Sequence, residues 1–188
     1  MDTFGDPGFY CHQTLVKIWG LLALRLAEST ILPISPGDYA DTLTEYAKKL
    51  PAYSTTAQSN GFPILKNAAF RLANVADTFE KSLQSLKQDI QIFTERNERL
   101  PKELAKAVTL ANKRLTYFER GFLDPQGIKD RTWFKHVVYA PSLWSGYSSQ
   151  VFPALIEAMD AGDDDMARHT EKRIAQCIDN ASQRLSQQ

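Results

Sequence analysis

Side chains that could do chemistry are few and scattered in this sequence of 188 residues. The three histidines, His12, His136 and His169, are far apart, and none belongs to a His-Glu-x-x-His motif, which binds zinc on one helix face. Cys11 and His12 are adjacent, but neighbours on a helix point about 100° apart and do not face each other as a nucleophile and its base. The sequence therefore predicts no catalytic residue and no metal site in this chain.

Two further motifs have structural explanations. The run Asp163, Asp164 and Asp165 lacks the interleaved ligands and the glycine turn of a calcium loop, and it predicts favourable charge at a helix start. Asn180-Ala181-Ser182 is a formal glycosylation sequon, but it falls on a predicted helix near the core face, and we interpret it as a chance match. Glycine-rich phosphate loops and nucleophile elbows do not occur in the sequence.

The composition describes a neutral chain that can bury a core. Lysine plus arginine and aspartate plus glutamate each number 22, so no net charge attracts nucleic acid or an anionic membrane surface. A hydrophobic content of 43% is enough for one domain over residues 1–188. No apolar stretch approaches the ~20 residues of a membrane span, and we expect no direct membrane contact. Cys11 and Cys177 have no metal-type spacing. The sequence leaves two alternatives, a disulfide between them or two free thiols.

Apolar spacing and helix-start signals predict the elements of the first third of the chain. Asp6-Pro7 is a typical capped helix start, and Pro33 ends this first helix. Ser35-Pro36 repeats the signal for a second helix that stops before Pro51. The polar residues 54–61 are predicted to form a loop.

The strongest pattern lies in the middle of the chain, where apolar residues recur at alternating steps of four and three. This pattern covers residues 65–93 and resumes over 104–122, which predicts two long helices packed as an antiparallel hairpin. Residues 124–150 are predicted to be irregular, with a short β-like run at 137–139, before helices return to the C-terminus. The expected fold is all-α and resembles an up-and-down four-helix bundle with a long irregular crossover segment.

The irregular part of the chain carries two linked motifs. Residues 119–127 read Glu-Arg-Gly-Phe-Leu-Asp-Pro-Gln-Gly, and residues 134–142 read Phe-Lys-His-Val-Val-Tyr-Ala-Pro-Ser. Together they resemble the transferrin-receptor-like dimerisation domain of the glutamate carboxypeptidase and transferrin receptor family. The residues that match the family signature are Asp124, Pro125, His136, Tyr139 and Pro141.

The resemblance extends to the first part of the chain. Phe4-Gly5-Asp6-Pro7-Gly8-Phe9 is similar to the stretch after the last zinc-binding histidine of fungal vacuolar-sorting members. It implies that the chain is the C-terminal helical fragment of a larger protein with a single membrane span, and that this domain lies on the luminal or extracellular side. The zinc ligands of such a parent would lie upstream of Met1, so the resemblance implies no cofactor in this fragment and leaves open whether the parent is an active zinc metallopeptidase.

The resemblance also implies a role and partners. The leading hypothesis is a non-catalytic homodimerisation domain whose partners are a second copy and the peptidase-like domain of the same parent chain. In glutamate-releasing members a Lys-Tyr pair after Ala-Pro-Ser grips the substrate carboxylate. Tyr147 stands at the tyrosine position and is the substrate-cleft candidate, open between cleft lining and packing, whereas Gly146 at the lysine position puts glutamate specificity in doubt. The alternatives are a lid over a neighbouring zinc-peptidase cleft and a docking module for another protein.

Overall fold

The fold is mostly helical, as the computed structural model of residues 4–50, 61–143 and 149–186 shows. Helix accounts for 73% of the structure, which confirms the predicted all-α class. The chain divides into two compact units, Met1–Ile34 and Ser35–Gln188. The expectation that residues 1–188 form one domain remains a prediction, because a division into two compact units does not by itself count domains.

The first unit is one helix with a structured start. A 3₁₀ turn at Pro7–Phe9 leads into helix α1, Tyr10–Glu28. The α-helix begins later than the sequence predicts because Gly8 and Phe9 adopt left-handed φ angles of 70° and 55°, which no α-helix contains. None of the nineteen described side chains of α1 is buried. Among the helices that the structure describes, none combines the length and hydropathy needed to cross a bilayer.

Asp6 caps this helix, as its sequence position predicts. Its carboxylate accepts hydrogen bonds from the backbone N–H groups of Cys11 and His12, both at 3.0 Å, and pairs with the His12 ring at Nδ1. The His12 side chain first, and then these N–H groups, hold the pKa of Asp6 well below its usual range. The cap therefore stays ionised at neutral pH.

The second unit is built from five helices in its described part. They are α2, Pro36–Lys49; α3, Pro63–Glu95; α4, Lys102–Phe118; α5, Pro153–Asp160; and α6, Asp164–Ser186. The predicted antiparallel connection of α3 to α4 is present, but α3 packs far more extensively against α6 and α2 than against α4. The core of this unit is thus an α2–α3–α6 layer, and α4 adds to it rather than forming its centre.

Two predicted helix starts are confirmed by their caps. The Ser35 hydroxyl accepts from the Asp38 N–H at 3.1 Å, and Pro36 occupies the first turn of α2. At the start of α6, the Asp163 carboxylate accepts from the Met166 N–H at 2.9 Å. The acidic run is therefore a helix cap, as its position in the sequence indicates.

A small antiparallel sheet interrupts the helices. Strand β1, Tyr139–Pro141, pairs with β2, Ser149–Val151, so that Pro141 lies opposite Ser149. The β-like run predicted at 137–139 overlaps β1 only at Tyr139, whereas β2 has no counterpart in the sequence prediction. The helix predicted over 104–122 is also shorter than expected, since α4 ends at Phe118 and passes into a 3₁₀ turn at Glu119–Phe122. Except for Gly61, the predicted loop at 54–61 lies outside the described residues.

Candidate functional site

The five signature residues fall within one folded region, residues 123–141, which we call the crossover segment. Asp124 is its central side chain and is only 8% exposed. One carboxylate oxygen accepts from the Gln126 N–H at 2.9 Å, and the other accepts from Arg173 Nε on α6 at 2.7 Å. Arg173 also donates to the Gly127 carbonyl at 3.0 Å, so one guanidinium ties both sides of the Asp-Pro turn to α6.

The turn itself depends on a glycine and on backbone pairing. Gly127 has a φ of 70°, and a Cβ there would lie 2.4 Å from the Thr132 carbonyl oxygen. The Asp124 N–H donates to the Lys135 carbonyl at 2.8 Å, and the Lys135 ammonium donates to the Pro125 carbonyl. These contacts close the segment on itself.

His136 is held as a neutral hydrogen-bond acceptor. Its Nδ1 faces the N–H groups of Val138 at 3.3 Å and Tyr139 at 3.1 Å, which places the ring proton on Nε2. Burial lowers the pKa of His136, and the carboxylate of Glu119, 3.8 Å from Nε2, only partly opposes that effect. The neutral ring therefore orients the backbone at the start of β1.

Tyr139 belongs to a cluster of aromatic rings between α2 and the crossover segment. It stacks on His136 at a centroid distance of 5.8 Å and meets the rings of Tyr39 and Tyr46 edge-on. Burial, followed by the Tyr46 hydroxyl, raises the pKa of Tyr139 to about 12. Burial likewise raises the pKa of Tyr39. Both phenols keep their protons at neutral pH, so they pack rather than act as bases.

The far end of the crossover segment is fixed by Arg131. Its guanidinium pairs with Glu157 on α5, and its other amine donates to the Pro141 carbonyl at 2.7 Å. The same group lies 5.6 Å from the centre of the Phe134 ring, a cation–π contact. Arg131 and Arg173 therefore anchor the two ends of one segment to different helices.

The space enclosed around these residues is too small for a substrate. The cavity bordered by Asp124, His136 and Arg173 has a volume of about 20 Å³, which holds about one water molecule. In the part of the chain that the structure describes, no three side chains of His, Cys, Asp or Glu cluster so as to hold a metal ion. Asp124, Arg131 and Arg173 pair with charged side chains and with backbone atoms of the segment, so the arrangement holds this loop in position.

The cysteines and Tyr147 complete the predicted set. Both cysteines are free, Cys11 exposed and Cys177 buried. The hydrogen bond and charge of Asp6 raise the pKa of Cys11, and burial raises that of Cys177 to about 11, so neither thiol is activated as a nucleophile. Tyr147 and Gly146 lie outside the described residues, and the cleft role of Tyr147 stays a prediction.

Sequence reasoning missed two glutamates that cap helices from a distance. Glu171 on α6 is 5% exposed and accepts from the N–H groups of Ile64 and Leu65, at 2.7 and 3.1 Å, at the start of α3. Glu80 on α3 accepts from the Ser35 hydroxyl and the Gly37 N–H, both at 2.8 Å, at the start of α2. An available signal was the start of α3 at Phe62-Pro63, which offers no side-chain cap of its own.

The state of His136 predicts a pH dependence of stability. Because its folded pKa lies below the unfolded value of about 6.5, the unfolded chain binds the proton more readily, and stability is lost as pH falls through that value. We expect the free energy of unfolding, measured by denaturant titration, to decrease between pH 7.5 and pH 5. His136→Asn, whose side-chain oxygen can still accept the two N–H groups, should flatten that decrease, whereas His169→Asn at an exposed position should not. An unchanged slope in the His136 variant would contradict the assignment.

Several large apolar side chains of the second unit are exposed. The most exposed are Trp133 in the crossover segment, at 69%, and Phe70 on α3, at 64%. Phe70 adjoins Arg71, which forms a two-pronged ion pair with Asp179 of α6 at 2.8 and 3.0 Å. Aromatic residues and arginine are enriched at protein–protein interfaces relative to the rest of the protein surface.

The described helices and the crossover segment with its five signature residues define the class of this domain. The chain belongs to the family of transferrin receptor-like dimerisation domains, since the sequence model of that family matches residues 61–186.

Three full-length proteins illustrate the relationship. A probable glutamate carboxypeptidase VP8 of Zea mays is 34% identical over 161 residues, which cover 85% of this chain and 21% of that protein. A probable glutamate carboxypeptidase of Arthroderma benhamiae is 30% identical over 179 residues, or 95% of this chain and 23% of that protein. An inactive zinc metalloprotease of Schizosaccharomyces pombe is 30% identical over 191 residues, covering 96% and 22%. The chain thus spans less than a quarter of the length of these relatives.

Proposed function

We propose that this chain is the homodimerisation domain of a longer glutamate-carboxypeptidase-like protein and that it carries out no chemistry by itself. The observation that supports this most directly is the match to a dimerisation family over residues 61–186. The relatives named as carboxypeptidases support a peptidase-like parent, and the relative named as inactive leaves its activity open.

The surface of the second unit offers side chains suited to self-association. A two-fold contact uses the same patch on both copies, so one exposed aromatic residue contributes to it twice. Phe70 and Trp133 lie within the matched range and have the residue types that dominate interface energetics. We propose that at least one of them is buried when two copies meet.

Sedimentation equilibrium of the 188-residue chain from nanomolar to high micromolar concentration tests this function. We expect a dimer, and we expect Phe70→Ser or Trp133→Ser to weaken it by about tenfold or more, since a truncated hot-spot residue costs more than about 1.4 kcal/mol of binding energy. Lys106→Ser, an exposed change on α4, is the matched control and should leave the dissociation constant unchanged.

A strictly monomeric wild-type chain at high micromolar concentration would contradict the proposal. A dimer that neither aromatic substitution weakens would instead place the contact on another face of the second unit. Circular dichroism of each variant separates weakened association from lost structure.

The peptidase-related roles concern the longer protein. We propose that any zinc ligands it has lie outside these 188 residues and that its peptidase-like domain is the second partner of this chain. A lid over that domain's cleft, carried by Tyr147, and a docking site for another protein stay predictions from the family resemblance.

A further inference from the structure

Helix α1 displays a broad apolar surface to solvent. Its large apolar side chains are all exposed, among them Trp19 at 70% and Leu22 at 56%. Soluble proteins scatter such residues singly, and a continuous row of them marks a surface that is covered in the working protein.

The row follows the geometry of the helix. Leu15, Trp19, Leu22 and Leu26 are spaced by four, three and four residues, which places them along one face. Val16 and Ile18 widen that face to roughly half the circumference of the helix. Leu21 and Leu24, exposed at 58% and 50%, extend the apolar surface onto the other side, where Lys17 lies. A helix with an apolar face this wide is normally packed inside a protein.

The comparisons indicate what covers this face. The dimerisation family matches only residues 61–186 and so leaves α1 out. The alignments with the Arthroderma benhamiae and Schizosaccharomyces pombe proteins cover 95% and 96% of the chain, too much to omit α1. These relatives therefore contain α1 within a polypeptide that is, as a whole, more than four times as long as the aligned part, since that part is 23% and 22% of their length.

We infer that the apolar face of α1 is a docking surface for the peptidase-like domain of the same polypeptide, an inference that rests on the longer protein proposed above. The occupant is an apolar surface of that domain. In this assignment α1 packs against the peptidase-like domain, and the second unit forms the contact between two copies of the chain. The helix then joins the two functions by connecting the peptidase-like domain to Ser35–Gln188.

Two other occupants fit the surface less well. Helices that lie on membranes carry many lysines and arginines beside their apolar face, but α1 has only Lys17 and Arg25, and the chain has no net positive charge. A second copy of the chain is the occupant expected for the matched range, which begins 33 residues after the end of α1 at Glu28.

Hydrogen exchange of the α1 amides, followed by mass spectrometry, tests the inference. An uncovered nineteen-residue helix is only marginally stable, so rapid exchange is expected in the 188-residue chain. In the full-length gene product the same amides should exchange about 100-fold more slowly or slower still, because opening α1 would also break its apolar packing. Rapid exchange in the full-length product, or a product no longer than these 188 residues, would overturn the inference.

Two further arms identify the occupant. Protection that grows with concentration in the 188-residue chain would assign the face to a second copy. Protection that appears only with vesicles of phosphatidylcholine and phosphatidylserine would assign it to lipid. Either result overturns the inference.

A matched pair of substitutions tests the face itself. Leu22→Asp in the full-length product should abolish most of the protection of α1, and Lys17→Asp, which puts the same new side chain at a position that is already charged, should preserve it. Equal effects would contradict the assignment, and the wild-type comparison remains decisive if Leu22→Asp prevents folding. Sedimentation of the same proteins keeps the two proposals separate, since a monomer with protected α1 refutes dimerisation alone, and a dimer with unprotected α1 refutes docking alone.

Discussion

Replacing Gly121 with alanine is expected to lower the free energy of unfolding by about 3 kcal/mol or more, because overpacking against rigid atoms has no inexpensive relaxation. Gly121 lies in the 3₁₀ turn after α4, where it crosses α6. A Cβ at this position would lie 2.3 Å from the Cα and 2.5 Å from the backbone nitrogen of Ala181. Backbone atoms cannot rotate aside, so the turn and α6 would have to separate. Denaturant titration of the purified variant measures the loss.

The matched control is another glycine-to-alanine change in a helix. A Cβ at Gly20 in α1 meets nothing within 4 Å, so Gly20→Ala should be neutral or slightly stabilising, as expected from the greater helix propensity of alanine. Similar free energies of unfolding for the two variants would contradict the close contact between Gly121 and the backbone of Ala181.

Replacing Glu171 with alanine is expected to cost about 2–3 kcal/mol of unfolding free energy, the range for hydrogen bonds to a charged group. The variant removes the acceptor for the N–H groups of Ile64 and Leu65 at the start of α3. Leu65 is fully buried. It also removes a negative charge from the positive end of a 33-residue helix. Thermal and denaturant unfolding of the variant measure this contribution.

Two companion variants make the result specific to the cap. Glu171→Gln keeps an acceptor oxygen and should lose less stability than the alanine variant. Lys172→Ala, at the exposed neighbouring position of α6, should change stability by less than about 0.5 kcal/mol. If Glu171→Ala were no more damaging than Lys172→Ala, Glu171 would not be the cap of α3.

The helices were predictable because their apolar residues repeat with the period of the helix. Leu65, Leu72 and Leu83 are all buried in α3, at positions that the alternating steps of four and three select. Helix starts were equally readable where a local side chain caps them, as Ser35 and Asp163 do. These signals act over a few residues, and the sequence displays them directly.

The remaining features depend on partners that are distant in sequence. Heptad spacing identifies an apolar face but not what it packs against. The hairpin of α3 and α4 was therefore predictable, whereas the more extensive packing of α3 against α6 and α2 was not. Arg131 and Arg173 gave no sign of anchoring the crossover segment, because each pairs across a separation of 26 or 49 residues. Residue types in the crossover segment were recognisable by family resemblance, but their structural roles required the fold.

The distant cap of α3 affects the order in which the protein can form during synthesis. Ile64 and Glu171 are 107 residues apart, so the ribosome makes the first turn of α3 about 5–20 s before its cap at 5–20 residues per second. In that interval α3 can exist only as a helix with an open first turn, without the partner layer that α6 provides. The nascent chain therefore cannot complete its core gradually from the amino end, and consolidation of α3 awaits the synthesis of α6.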